Sequence, residues 1–169
     1  ITITVTDTND NAPIFSSNNT ASIDENTTAV ITVAAADADE DGGAAVTYSI
    51  VAVGDNPTSA DAALFTLSGA DLSFTSAPDY EAPGDDGGNN EYVVVIKASD
   101  AGATNPTDQT ITITVVDLDD NAPEFTSSAT ASVAENATAV ITLTATDADA
   151  GASISFSIIA VENKINVIG

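Results

Sequence analysis

The sequence predicts an all-β chain of tandem immunoglobulin-like Greek-key β-sandwiches, and three observations predict it. The first is period-two alternation: at 111–115, Ile111, Ile113 and Val115 alternate with threonines, the mark of a strand with one buried face. Helical spacing appears nowhere. The second is punctuation, because DEDGG, DNPTS and EAPGDDGGNN carry the residues that turns require. The third is a repeat with an offset of 110 residues. ITITVT at 1–6 recurs as ITITVV at 111–116, and DTNDNAPIF at 7–15 recurs as DLDDNAPEF at 117–125. ENTTAVITVAAADAD at 25–39 recurs as ENATAVITLTATDAD at 135–149, matching at 11 of 15 positions.

In chain order, the candidate strands are TASID at 20–24, AVITVAAA at 29–36, VTYSIVAV at 46–53, ALFTL at 63–67, DLSFTS at 71–76, EYVVVIKAS at 91–99 and QTITITVV at 109–116. Thr and Val suit the pleat, and Tyr48, Phe65, Phe74 and Tyr92 are the expected core anchors. Seven short strands in a repeat of about 110 residues fit an antiparallel sandwich. The repeat also divides the chain. Residues 1–11 read as the last strand and linker of a preceding repeat, 12–121 as a complete repeat, and 122–169 as the N-terminal part of a following one. The last piece contains no counterpart of 63–116, so its sheet is expected to be open to strand addition by another chain.

Composition narrows the function classes. Lys97 and Lys164 are the only cations against 26 acidic residues, and the formal net charge is −24. Nucleic acid is excluded as a partner, because neutralising phosphates needs Lys and Arg, and polybasic membrane attachment fails for the same reason. No apolar run approaches a membrane-spanning length, and direct insertion is not expected. Without Cys or His there are no thiolate or imidazole metal sites, no disulfides and no Ser-His-Asp triad. Oxygen ligands remain.

Part of the acidity reads as ordinary solvated charge, namely Asp55, Asp61, Asp71, Asp85, Asp86 and Asp108. The repeated clusters do not. Asp7, Asn9, Asp10 and Asn11 lie within five residues, and Asp117, Asp119, Asp120 and Asn121 repeat the pattern. Carboxylates so placed repel by about 1 kcal/mol per pair at 4 Å in bulk water, a penalty that a hard cation reverses. Calcium accepts six to eight such oxygens in flexible geometry. An EF-hand is excluded: Asp37, Asp39, Asp41 and Gly42 match its opening, but its twelfth position is Tyr48 instead of Glu, and strand patterns flank it.

These segments resemble the cadherin repeat family, whose interdomain linker reads DxNDNAPxF. DAD at 37–39 and 147–149, DYE at 79–81 and ASDAG at 98–102 fall in that family's order, so the resemblance covers the whole chain. It implies several calcium ions at the junction between consecutive repeats. For the second junction it implies Glu25, Asp79 and Glu81 from the upper repeat, then Asp117, Asp119 and Asp120 through carboxylates and Leu118 and Asn121 through backbone oxygens. Asp147 and Asp149 come from the next repeat. For the first junction it implies Asp7, Asn9, Asp10 and Asn11 with Asp37, Asp39 and Asp100. Two positions depart from the pattern: Asp119 stands where the family usually has Asn, and Gly43 where it usually has Asn.

The resemblance implies a calcium-rigidified extracellular structural or adhesive segment of a large cell-surface protein, not an enzyme. Its partners would be neighbouring repeats of the same chain and a homophilic, protein or polysaccharide surface ligand. The Ala/Thr/Asp-rich composition, near-absence of Lys and lack of Cys suggest a microbial adhesin, and the lack of Trp excludes pairing by an inserted N-terminal tryptophan. The alternative reading is a carbohydrate-binding module, which has few aromatics to offer for stacking. Asn18, Asn26 and Asn136 sit in Asn-x-Ser/Thr sequons, which mean glycosylation only in a suitable host.

Overall fold

The structure is a computed structural model that describes residues 1–5, 8–39, 45–100 and 105–159. Its longest strands are the two with the densest β-branched runs, β8 (Glu91–Ser99) and β9 (Thr107–Val116). They pair antiparallel, from Glu91 opposite Thr114 to Ala98 opposite Thr107. β5 (Thr47–Ile50) adds to the other edge of β8, and β2 (Thr20–Asp24) to the other edge of β9, giving a four-stranded sheet β2-β9-β8-β5. β3 (Ala29–Thr32), β7 (Asp71–Phe74) and β6 (Phe65–Ser68) form a three-stranded second sheet. These two sheets contain the expected seven strands.

The alternation sorts side chains onto the faces as the sequence predicts. Tyr92, Val94 and Ile96 of β8 and Ile111, Ile113 and Val115 of β9 join Phe65, Leu72, Phe74 and Val33 in one core. Tyr92 meets Phe74 edge-on, with ring centroids 5.0 Å apart at 87°. Phe65, Phe74 and Tyr92 are the buried anchors, while Tyr48 is half-buried and receives the Ala35 N–H at 2.7 Å.

Three departures from the sequence expectation have physical causes. The 29–36 strand is two strands: after β3, Val33 sinks into the core, and β4 (Ala35–Ala36) turns away to pair with β1 (Ile14–Phe15). Continuous apolar patterning over 33–36 hides such a switch. The second departure is that β2 runs parallel to β9, Thr20 opposite Thr112 and Asp24 opposite Val116. A parallel pair needs a crossover, and these two strands are separated by nearly the whole repeat.

The third departure concerns two acids expected to be solvated. Asp61 and Asp85 are buried, 5% and 8% exposed, because their carboxylates cap backbone N–H groups. Asp61 accepts from Asp86 N–H (2.8 Å) and Val93 N–H (2.7 Å), and Asp85 accepts from the N–H groups of Asn89 and Asn90, both at 3.0 Å. Asp61 also ends a segment that covers β8, in which Ser59 Oγ accepts from Val95 N–H at 3.0 Å. A single 3₁₀ turn, Ala62–Leu64, follows.

The chain divides into two compact units, Ile1–Leu118 and Asp119–Gly169. In the second, the described strands are β10 (Glu124–Phe125) and β11 (Ala145–Thr146), an antiparallel pair that repeats β1 with β4. Phe125 and Phe156 pack with centroids 5.8 Å apart. The counterparts of β2 and β3 form no ladder among the described residues.

Candidate metal centre

The parallel pairing of β2 with β9 brings the end of β2 beside the exit of β9. Glu25 is the next residue after β2, and its N–H donates to Val116 O at 3.0 Å. Asn26 follows with φ 61°, a left-handed turn that asparagine tolerates, and donates to Pro78 O at 2.9 Å. The Glu25 side chain is thereby turned inward and is only 1% exposed. Its Oε2 accepts from Tyr80 N–H and its Oε1 from Leu118 N–H, both at 2.8 Å. One buried carboxylate thus ties together the end of β2, the DYE segment and the linker.

Asp79 shapes the DYE segment. Its Oδ1 accepts from Glu81 N–H (3.1 Å) and Ala82 N–H (3.2 Å), an Asx-type turn that folds Glu81 back. The carboxylates of Glu25, Glu81 and Asp117 converge, with one oxygen from each lying within 4.8 Å of the others. Glu81 Oε1 and Asp117 Oδ1 are both shielded from solvent. Lys97, the one cation among the described residues, pairs across strands with Asp108 at the far end of β8 from Glu91. Three converging carboxylates form an all-oxygen donor set suited to a hard divalent cation.

The linker and the DAD motif form a second recurring arrangement, present in each unit. In the first unit Asp39 Oδ2 accepts the N–H groups of Asp10 (2.9 Å) and Asn11, while Oδ1 accepts the Asn11 side-chain amide. Asp37 Oδ1 accepts Asp39 N–H at 2.9 Å. In the second unit Asp149 accepts Asn121 N–H (2.9 Å) and Nδ2 (2.8 Å), and Asp147 accepts Asp149 N–H at 3.1 Å. Asn121 Nδ2 also donates to Asp120 at 3.0 Å.

These bonds hold the Asp39 carboxyl below the usual carboxylate range, the Asn11 backbone N–H first among the causes. For Asp149, burial pushes upward most, yet the amide and N–H of Asn121, helped by Asp119 and Asp147, carry the group below its ordinary value. Asp37 is 8% exposed, and its Oδ2 is buried with no hydrogen-bond partner among the described residues. An orphaned buried carboxylate oxygen is expensive, and a cation is the partner its chemistry favours.

The remaining expected residues are placed less tightly. Asp100 is buried (7% exposed) just past β8, and Asn9, Asp10, Leu118, Asp119 and Asp120 are exposed. Among the described residues Asp10, Asp37, Asp39 and Asp100 do not gather three carboxylates as Glu25, Glu81 and Asp117 do. Asp79 is exposed and stands outside that trio. Asp7, Asp41, Gly42 and Gly43 lie outside the described residues. Leu118 offers more than the expected carbonyl, since its N–H anchors Glu25, a role that no motif announced.

A family profile described as the cadherin domain matches residues 19–116. The chain is 37% identical over 143 residues to human Protocadherin gamma-A4, covering 82% of this chain and 14% of that protein. It is similar to the crystal structure of the Protocadherin GammaB4 extracellular domain, with TM-score 0.60 and 30% identity over 87% of this chain and 23% of that one. It is also similar to the Protocadherin gammaB7 EC3-6 cis-dimer structure, with TM-score 0.67 and 26% identity over 89% of this chain and 38% of that one. The chain thus spans a small part of the curated relatives it matches. From the two-sheet sandwich, the recurring linker and these likenesses together, this chain belongs to the cadherin domain family, a family of extracellular adhesion modules rather than enzymes.

Proposed function

We propose that this chain is a calcium-rigidified segment of a cell-surface adhesion protein. The observation that carries the reading is the convergence of Glu25, Glu81 and Asp117 around a buried glutamate with no cation beside it among the described residues. Calcium supplies the missing positive charge and accepts carboxylate, amide and backbone oxygens together. Asp79, Asp119, Asp120, Asn121, Asp147 and Asp149 complete the proposed ligands of the junction after residues 12–121, with the backbone oxygen of Leu118. Asp7, Asn9, Asp10, Asn11, Asp37, Asp39 and Asp100 belong to the junction before it.

The chain's own residues do most of the work. Glu25 holds the DYE segment and the linker to β2, and the Asp39 and Asp149 carboxylates gather their linkers' N–H groups. Neutralising the clustered carboxylates removes the repulsion that otherwise loosens the linker. Extracellular modules of this kind need only modest affinity, with dissociation constants on the order of 10⁻⁴ to 10⁻³ M. The partner class is homophilic, another copy or a related repeat, in keeping with a relative whose structure is described as a cis-dimer. The polysaccharide alternative gains no support from the tyrosines, since Tyr92 is buried and Tyr48 and Tyr80 are half-buried.

Small-angle scattering of the chain in chelator and in calcium tests the rigidity. Calcium should narrow the distribution of interatomic distances and lengthen the mean. Superimposable curves at saturating calcium would reject rigidification.

A further inference from the structure

Asn90 stands immediately before β8 in the segment DDGGNN, with φ 62° and only 9% exposure. A left-handed residue in such a turn is ordinarily glycine, or asparagine exposed to water. Here the side chain is buried and bonded. Its Nδ2 donates to Tyr80 O at 2.9 Å, its N–H to Asp85 Oδ1 at 3.0 Å, and its carbonyl accepts Val115 N–H at 3.0 Å. The amide orientation is fixed by chemistry, because turning it over would set Oδ1 against the Tyr80 carbonyl, two acceptors together. Oδ1 is buried and has no hydrogen-bond partner among the described residues, a cost that glycine would not incur.

The bonds lead to one place. Tyr80, held by its carbonyl to Asn90, donates its N–H to Glu25, and Glu81 follows it directly. Val115, held to the Asn90 carbonyl, stands two residues before Asp117. Asn90 therefore grips both segments that deliver carboxylates to the Glu25–Glu81–Asp117 group without contributing an oxygen to that group. We propose that Asn90 is a positioning residue for this cluster, its amide fixing the DYE segment against β9 so that the three carboxylates meet. The proposal rests on the calcium reading above.

The test compares the 169-residue chain with Asn90→Gly and Asn90→Ala. Glycine keeps the left-handed backbone and loses only the amide, whereas alanine adds backbone strain. Two readouts are taken: calcium affinity by calorimetry, and amide hydrogen exchange in chelator. The expected result is that Asn90→Gly remains folded, with Val94 and Ile113 amides protected as in the parent. Its Tyr80 amide should exchange faster without calcium, and its calcium affinity should fall about tenfold, the low end for loss of a group that orients a metal ligand. If Asn90→Gly binds calcium like the parent with an unchanged Tyr80 amide, Asn90 is a turn residue only and the proposal is overturned. A parent chain that binds no calcium overturns the reading beneath it instead, and the two failures are told apart by the parent titration.

Discussion

Glu25 and Leu118 are 93 positions apart in sequence, yet the Leu118 N–H donates to Glu25 Oε1 at 2.8 Å, while the other oxygen of that carboxylate receives Tyr80 N–H at the same distance. A charge that is 1% exposed with both oxygens on backbone donors organises the end of the repeat as well as offering itself to a cation. Glu25→Gln keeps the shape but replaces one acceptor with an amide donor, leaving one N–H facing another. We expect a loss of about 1–3 kcal/mol in urea denaturation under chelator, the cost of one buried unsatisfied group. An unchanged midpoint would mean that water substitutes freely for the carboxylate.

Asp61 provides a contrast between acids that look alike in sequence. Asp61→Ala removes the acceptor for Asp86 and Val93 N–H groups and should destabilise by about 2–4 kcal/mol in the same assay, two charge-assisted bonds being lost. Asp55→Ala, at an exposed turn, should change stability by less than about 0.5 kcal/mol. Equal effects would contradict the assignment of Asp61 as a backbone cap.

Core packing predicts a larger effect. Ile113 is fully buried between the sheets, and Ile113→Ala should cost about 2–5 kcal/mol by lost transfer energy and the cavity left behind. A smaller change in thermal or urea unfolding would show that the sandwich collapses around the gap.

Tyr92 predicts an alkaline limit. Burial pushes its hydroxyl above the ordinary 10.0, and Asp85, Asp61 and Asp79 push the same way against the Gly84 N–H donated to it. The folded state therefore holds this proton more tightly than the unfolded state. Its stabilising contribution is complete below pH 10.0 and is lost as pH rises from there through the folded value. In an ultraviolet titration compared with Tyr92→Phe, the Tyr92 signal should appear above pH 10.0, together with loss of the fold. Ionisation of Tyr92 at its ordinary value in an intact protein would contradict this.

Much of this was legible in the sequence because the signals were local and repeated. The strand cores of β2 and β9 follow directly from alternation and that of β8 from its apolar, β-branched run, and the linker and DAD motifs announce themselves twice. What stayed hidden was non-local. That Thr32 ends one strand and Ala35 begins another, on different partners, depends on which sheet is near. Asp61 and Asp85 look like any surface acid until the N–H groups they cap are known. Asn26 and Asn136 match glycosylation sequons, yet both occupy left-handed turns, at 61° and 66°, which is reason enough for asparagine after a turned glutamate. Asn90 carried no motif at all, and only its bond to Tyr80 reveals it.

Everything proposed for the junction depends on Glu25, Glu81 and Asp117 holding a cation together. The most direct test is calorimetric calcium titration of the chelator-stripped chain beside Asp117→Asn, which keeps the side-chain size and removes one charge. Saturable binding of more than one ion is expected in the range of about 10⁻⁴ to 10⁻³ M, weakened about tenfold or reduced in ion count by the substitution. No binding at about millimolar calcium, or binding indifferent to Asp117→Asn, would contradict it.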